Sequence, residues 1–174
     1  PPATLAFNMQ LHEPTVLKKL VPALSDFADA SIRGRFDSHS DSLRVQALFP
    51  KTVYSGYEID TLRLHIAGDS SRLSYFLFFH HLKSSSVEVH RTLLYGMMEH
   101  RELGINLRIR DGQNKDQYRL SGALKMRDQG YAFQLRRDSL MLNAQNWQLP
   151  DDNLITYTPA GLQIHHFGLQ NGSQ

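Results

Sequence analysis

The chain alternates between apolar and polar residues with a period of two over most of its length. Successive side chains of a strand point to opposite faces of a sheet, so this alternation predicts strands with one apolar face and one polar face. The clearest case is the segment 103–110, LGINLRIR. The same pattern recurs along the chain and predicts about ten strands. The apolar positions that carry it are Leu5, Phe7, Met9, Leu11, Leu43, Val45, Ala47, Phe49, Leu62, Leu64, Ile66, Leu73, Tyr75, Leu77, Phe79, Val87, Val89, Leu103, Ile105, Leu107, Ile109, Tyr118, Leu120, Leu124, Met126, Tyr131, Phe133, Leu135, Leu140, Leu142, Ile155 and Ile164.

Short polar turns separate several of these segments. GDSS at 68–71, DGQNKD at 111–116 and RDQG at 127–130 are rich in Gly, Asp and Asn. Turns of this length and composition close β-hairpins, which join antiparallel neighbours. The sequence therefore predicts an all-β fold in which antiparallel strands follow one another as a meander.

One segment departs from the period of two. Apolar residues recur at helical spacing between residues 14 and 27, and Pro14 suits the first turn of a helix. We therefore predict one short N-terminal helix over 14–27, kinked or broken at Pro22, which lacks a backbone donor. The positions with helical spacing are Leu17, Leu20, Val21, Leu24 and Phe27.

Composition limits the possible classes of protein. The 174 residues are predicted to form one domain, 1–174. A net charge of +2 gives no general argument for a nucleic-acid partner. The chain has no cysteine, which excludes disulfides, cysteine nucleophiles and thiolate metal sites. The longest apolar run, Tyr75–Phe79, is far below the roughly 20 residues of a membrane-spanning helix.

The beginning of the chain bears on its context. It starts with Pro1 and Pro2, with neither an initiator methionine nor a signal-like segment. We therefore expect the chain to be a fragment of a longer protein, with any membrane anchor outside it.

Several histidines of the chain are candidate metal ligands. His80 and His81 are adjacent, so in a strand they point to opposite faces and cannot bind one ion together, and the same holds for His165 and His166. His81 can meet His90 across a hairpin, but the sequence shows no carboxylate at ligand spacing. We predict no metal site and no cofactor.

Catalytic patterns are also missing from the sequence. No Gly-x-Ser-x-Gly motif occurs, and the Ser, His and Asp residues show no order that indicates a triad. Asp151 and Asp152 lie between Pro150 and Asn153, which favours a solvated turn over a pair of catalytic acids. We predict that the chain is not an enzyme.

Basic residues form a possible stripe on the polar faces of the strands. Arg108 and Arg110 share a strand face, and Arg119, Lys125 and Arg127 are expected on neighbouring strands. A solvated outer face is favoured over lipid head groups, and nucleic acid comes third because no aromatic residues interleave with the stripe.

Two stretches of the chain resemble the AsmA-like and TamB family of bacterial envelope proteins. LSDFADASIRGRFDSHSDSLRVQALFP at 24–50 is similar to the strand-turn-strand pieces of that family, with a Gly-Arg-Phe-Asp strand end. DSLMLNAQNWQLPDDNLI at 138–155 is similar to a TamB-like stretch in which a strand ends in tryptophan. By this resemblance Trp147 marks a strand junction, where we expect it to pack.

The resemblance implies an elongated, curved antiparallel sheet folded lengthwise into an open hydrophobic trough, the β-taco form. It implies a place in the periplasm, in a protein anchored in the inner membrane, and a role in inter-membrane phospholipid transport or outer-membrane protein assembly. The implied partners are phospholipid acyl chains and a BamA/TamA-like outer-membrane barrel protein. Polar residues interrupt the apolar registers at His81, Arg91 and His166, where we expect rims or bulges. The residues implied to line the lipid groove are Leu62, Leu64, Ile66, Leu103, Ile105, Leu107, Ile109, Tyr118, Leu120, Leu124, Tyr131, Phe133 and Leu135.

Two other classes stay open on the sequence alone. One is a closed β-barrel: a ligand-binding barrel would turn the alternating apolar residues inward, and an outer-membrane barrel would turn them outward. Its membrane form would carry aromatic girdles at the strand ends, whereas Tyr75, Phe79 and Phe133 lie in mid-strand. A β-sandwich enzyme would need convergent polar groups in a pocket, for which the sequence offers no pattern.

Overall fold

The structure is a computed structural model that describes residues 3–12, 19 and 21–172. These residues form fourteen β-strands in one sheet, with a short 3-10 turn at Arg137–Ser139. Among the residues described, no helix has the length and apolar character needed to span a membrane. The strands are β1 (Thr4–Leu11), β2 (Leu24–Phe27), β3 (Ala30–Asp37), β4 (Ser42–Tyr54), β5 (Tyr57–Gly68), β6 (Arg72–Lys83), β7 (Glu88–Glu99), β8 (Glu102–Arg110), β9 (Asp116–Arg127), β10 (Gly130–Leu135), β11 (Leu140–Leu142), β12 (Gln145–Trp147), β13 (Leu154–Thr158) and β14 (Gly161–His165).

The strand order confirms the prediction of an antiparallel all-β fold. Eleven strands follow one another in the order β1-β3-β4-β5-β6-β7-β8-β9-β10-β13-β14, and every pairing is antiparallel. Off this path, β2 pairs with β4, and β11 pairs with β9 and β12. In the described part of the chain β1 pairs only with β3, and β14 only with β13. The sheet is therefore open in the part of the chain that the structure describes.

The predicted N-terminal helix is not confirmed, and its last part is a strand: Lys19 is helical, but residues 24–27 are extended. Leu24–Phe27 form β2, whose register against β4 shifts between Leu24 and Asp26. This bulge lets Leu24 and Phe27, three residues apart, both be buried. The bulge thus produces in a strand the spacing of apolar residues that is typical of a helix. Residues 14–18 and 20 of the predicted helix lie outside the described residues.

Register places the alternating apolar residues of the main path on one face of the sheet, while Leu48, Phe76 and Tyr95 lie on the other. Residues directly opposite each other in an antiparallel pair point to the same side. We call this side the apolar face and describe it by two rows of directly opposed residues. The long row crosses all eleven strands of the main path through Leu5, Phe36, Leu43, Gly68, Leu73, Met98, Leu103, Leu124, Phe133, Ile155 and Ile164. The short row crosses eight strands through Met9, Ile32, Ala47, Leu64, Leu77, Leu94, Leu107 and Leu120.

Little of this apolar face is fully buried. The chain exposes 11745 Å², whereas a compact monomer of its mass exposes about 8,700 Å², so the excess is roughly a third. In the described residues the buried apolar side chains concentrate in two small clusters. The first joins Leu24, Phe27 and Ala30 near β2, and the second joins Leu135, Leu140 and Leu149. Between them the apolar face is half-buried at most positions.

The second cluster lies where the strands near the C-terminus break. The chain leaves the ladder at 136–139 after β10, at 148–153 after β12 and at 166–169 after β14. These interruptions lie side by side, because Asn153 bonds to Leu135 and Gln148 pairs with Gln170. We call this line of breaks the seam.

Two side chains replace the missing backbone partners at the seam. The Asn153 Oδ1 accepts a hydrogen bond from the Leu135 N–H at 2.9 Å, and its Nδ2 donates to the Leu135 carbonyl at 2.8 Å. The Ser139 Oγ accepts from the Ser121 N–H at 3.0 Å and lies 3.0 Å from the Ser121 carbonyl. Buried backbone groups need such partners, so the strands can break here without leaving these groups unpaired.

Candidate functional site: the apolar face

The thirteen residues predicted to line a groove all lie on the apolar face. Ten of them are half-buried, whereas Tyr118 and Tyr131 are exposed and Leu135 is buried. Leu135 lies in the second cluster beneath Leu140 and Leu149. It therefore belongs to a covered core, which corrects its prediction as part of an open groove.

The surface of the apolar face is shaped by aromatic rings that lie against glycines. A Cβ on Gly34 would come within 2.2 Å of the Phe7 ring, and a Cβ on Gly122 would come within 3.0 Å of the Phe133 ring. These rings cover backbone that the glycines leave bare, which is a known way of stabilising glycine in a sheet. The sequence pattern placed the aromatic residues but did not indicate their glycine partners.

Tyr75 makes the most constrained contact of this kind. It lies directly opposite Gly96, and its hydroxyl donates to the Gly104 carbonyl at 3.0 Å. A Cβ on Gly96 would lie 1.8 Å from that same carbonyl oxygen, so no side chain fits. Partial burial of the phenol raises the pKa of Tyr75. The tyrosine therefore stays neutral and ties β6 across β7 to β8.

Apolar side chains are also exposed at both edges of the sheet. On β1, Leu5 is 64% exposed, and on β14, Leu162 is 62% and Ile164 58% exposed. Edge strands carry unpaired backbone donors and acceptors that can pair with another strand. Both ends of the apolar face are thus open to continuation by a further strand.

Trp147 packs beside the seam. It lies on β12 opposite Leu140 and contacts the second cluster. The indole is half-buried, and its Nε1 is buried without a hydrogen-bond partner. The expected packing of Trp147 at a strand end is confirmed, and the indole keeps part of its surface exposed.

Asp151 and Asp152 are exposed and form separate contacts. Asp151 pairs with Arg137 at 3.1 Å and Asp152 with His166 at 2.5 Å. The hydrogen bond from His166 lowers the pKa of Asp152. The prediction of a solvated turn is confirmed, and Asn153 beside them is fully buried.

Two carboxylates partly offset the charge of the predicted basic stripe. Arg108 and Arg110 both approach Asp116, at 3.5 Å and 2.8 Å, and Lys125 lies 3.3 Å from Glu102. These pairs agree with a solvated outer face. A groove of about 530 Å³ lies elsewhere, lined mainly by polar-face residues of β3 to β6 that include Arg33, Arg63, His65 and Phe76.

Two of the three positions where rims or bulges were predicted have an irregular backbone. Arg91 has a positive φ of 37° inside a register shift between β7 and β8, and His166 has a φ of 46° just beyond β14. His81 keeps its register opposite His90. Polar residues in apolar registers therefore mark a bulge at Arg91 and a strand end at His166.

His81 and His90 do meet, and a carboxylate lies beside them. Glu88 Oε1 is 2.9 Å from His81 Nε2 and 3.7 Å from His90 Nε2. Sequence reasoning missed Glu88 because it is opposite Lys83 and reaches His81 only diagonally. The hairpin register could have indicated it once the turn at 84–87 was recognised.

Comparison of the chain with protein-family models, curated proteins and solved structures finds no significant match.

Proposed function

We propose that this chain is a non-enzymatic module of a TamB-like periplasmic protein and that its apolar face holds phospholipid acyl chains. The long row carries the proposal, because it is apolar at every position except Gly68 across eleven strands. A face of this kind normally packs against a second layer. In the described residues the covering clusters lie only towards its two ends.

The dimensions of the apolar face suit lipid tails. From Leu103 to Ile109 it is about 20 Å wide, and eleven strands make it about 50 Å long. One leaflet of a bilayer has acyl chains that span about 15 Å. Several tails can therefore lie on the face, and monomeric proteins rarely expose apolar patches this large without a binding role.

A lengthwise curve would turn this face into a trough. Sheets coil because their strands twist, and a single coiled layer brings the side chains of its inner face together. Half-burial of Leu64, Leu94 and Leu107 without a second layer supports such a curve. The inner face would then exclude water from acyl chains while the polar face stays solvated.

The two open edges support a role within a longer assembly. An adjoining strand of the same protein, or of a BamA/TamA-like outer-membrane barrel, would pair with β1 or β14 by strand addition. The exposed Leu5 and Ile164 end the long row at those edges. Strand addition there would continue the apolar face beyond this chain. A longer apolar face would serve either phospholipid transport or barrel assembly.

The test compares matched positions on the two faces. A photo-crosslinking residue at Leu94 faces the directly opposed Leu107, and one at Tyr95 faces the directly opposed Asn106. We expect the Leu94 probe to crosslink phospholipid in cells and the Tyr95 probe not to. Leu107→Arg should abolish crosslinking at Leu94 while the far-ultraviolet circular dichroism stays unchanged, because an arginine on an open face can reach water.

Asn106→Arg is the control and should leave crosslinking at Leu94 intact. Burying an unpaired charge in a closed core costs several kcal/mol, against a total stability of about 5–15 kcal/mol. Global unfolding by Leu107→Arg would therefore contradict the open face. Equal crosslinking from Leu94 and Tyr95 would contradict lipid binding.

A further inference from the structure

A cluster of possible metal ligands lies at the end of the β6–β7 hairpin. His81 and His90 are directly opposed on the two strands, and Glu88 begins β7 just after the turn. Their three ligand atoms all lie within 4.8 Å of one another. Two imidazoles and one carboxylate are a ligand set typical of zinc and related transition metals.

The distances between the candidate ligand atoms are close to those between the ligands of a bound zinc ion. Ligand atoms about 2.0–2.1 Å from a tetrahedral zinc ion are about 3.3 Å apart. The distances from Glu88 Oε1 to the two Nε2 atoms, 2.9 Å to His81 and 3.7 Å to His90, lie on either side of this value. Small rotations of the side chains would equalise them.

The two imidazoles need one adjustment to share an ion. Their rings are stacked with centroids 4.5 Å apart and planes 12° from parallel, so one ion cannot lie in both ring planes at once. Tilting the rings makes the lone pairs converge. The side chains of His81 and His90 are 30% and 34% exposed, which leaves space for that tilt and a path for the ion.

Neighbouring charges are largely occupied with other partners. Arg110, opposite His90, binds Asp116 at 2.8 Å and Asn114 at 3.0 Å. Asp60, opposite His81, lies 3.3 Å from His80. The Glu88 carboxylate is thus the acid that faces both imidazoles.

We propose that His81, Glu88 and His90 bind one divalent transition-metal ion of the zinc class. The ion takes the place of the direct contact between His81 Nε2 and Glu88 Oε1, and a fourth position stays open to water or an anionic ligand. Bound metal ties β6 to β7 beside the turn at 84–87. This site does not depend on the role of the apolar face.

The test is zinc titration of the full chain, free of any histidine tag, by isothermal calorimetry. We expect one site per chain and a rise in melting temperature on zinc addition. Removal of one ligand from a three-ligand site should weaken binding about tenfold or more, as each 1.4 kcal/mol corresponds to a factor of ten. His90→Ala and Glu88→Gln should each show this loss and abolish the rise in melting temperature.

His80→Ala is the matched control, since His80 is adjacent to His81 but pairs with Asp60. It should bind zinc as the original chain does. Equal zinc affinity in His90→Ala and His80→Ala, with both folded by circular dichroism, would overturn the site. Absence of any saturable binding would also overturn it. Because neither readout involves lipid, either result is independent of the proposed lipid binding.

Discussion

Strands β5 to β9 run for 9 to 12 residues, whereas β10 to β14 run for only 3 to 6 residues and break at the seam. The long strands leave the apolar face half-buried. At the seam, the breaks between strands bring Leu140 and Leu149 into a buried cluster with Leu135. The same alternating pattern thus yields an open surface where strands continue and a small core where they break.

The seam and the middle of the sheet differ in how much buried apolar area they contribute to stability. Fully buried side chains stabilise a fold more than half-exposed ones, because more apolar area leaves water. The seam and the β2 cluster contain the principal buried contacts of the described residues. The middle of the sheet relies on long backbone ladders, which leaves its apolar side chains half-exposed.

The largest expected effect comes from removing buried volume at the seam. Leu149 is 2% exposed, and Leu149→Ala should lower the free energy of unfolding by about 2–5 kcal/mol. Leu107→Ala, on the half-buried middle of the apolar face, should cost about half of that or less. Urea denaturation of both variants measures the difference. Equal losses would mean that the middle of the sheet is as enclosed as the seam.

A smaller loss is expected when the seam loses its hydrogen bonds. Asn153→Ala leaves the N–H and carbonyl of Leu135 without these partners, and an unpaired buried group costs about 1–3 kcal/mol. Asn146→Ala is the control, because Asn146 is exposed and accepts one 3.3 Å bond from Arg119. Hydrogen exchange of the Leu135 amide should accelerate in Asn153→Ala alone. Unchanged exchange would show that Asn153 does not hold the break together.

The smallest effect is expected at Trp147. Its Nε1 is buried without a partner, so Trp147→Phe removes an unpaired donor while keeping most of the packing. We expect a change in the free energy of unfolding within about 1 kcal/mol, since loss of contact area offsets the gain. The half-buried indole of the original chain should be only partly accessible to acrylamide quenching. Complete quenching would contradict its contact with the second cluster.

Much of the apolar face could be predicted from the chain alone. The thirteen candidate positions lie on one face because alternation is a local property, set by the backbone of each strand. Leu135 was predicted to lie in the open because its own strand does not reveal that Leu149 covers it. The covering residue is fourteen positions away and reaches it only after two further strands have formed.

Other errors have the same kind of cause. The apolar spacing of Leu24 and Phe27 matches a helix, and only pairing with β4 shows that a bulge produces it. Glu88 was not recognised as a neighbour of His81 because that contact depends on the exact register of a hairpin. In each case, the deciding fact is the position of a second strand.

By itself, the sequence determined that this chain forms antiparallel strands with an apolar side and a polar side. Periodicity and turn chemistry are sufficient for that, since both act over a few neighbouring residues. Only the tertiary structure decided that eleven strands align their apolar sides into one face, that the seam covers one part of it, and that His81, Glu88 and His90 meet. These features depend on register, and register arises from pairing between segments that are distant along the chain.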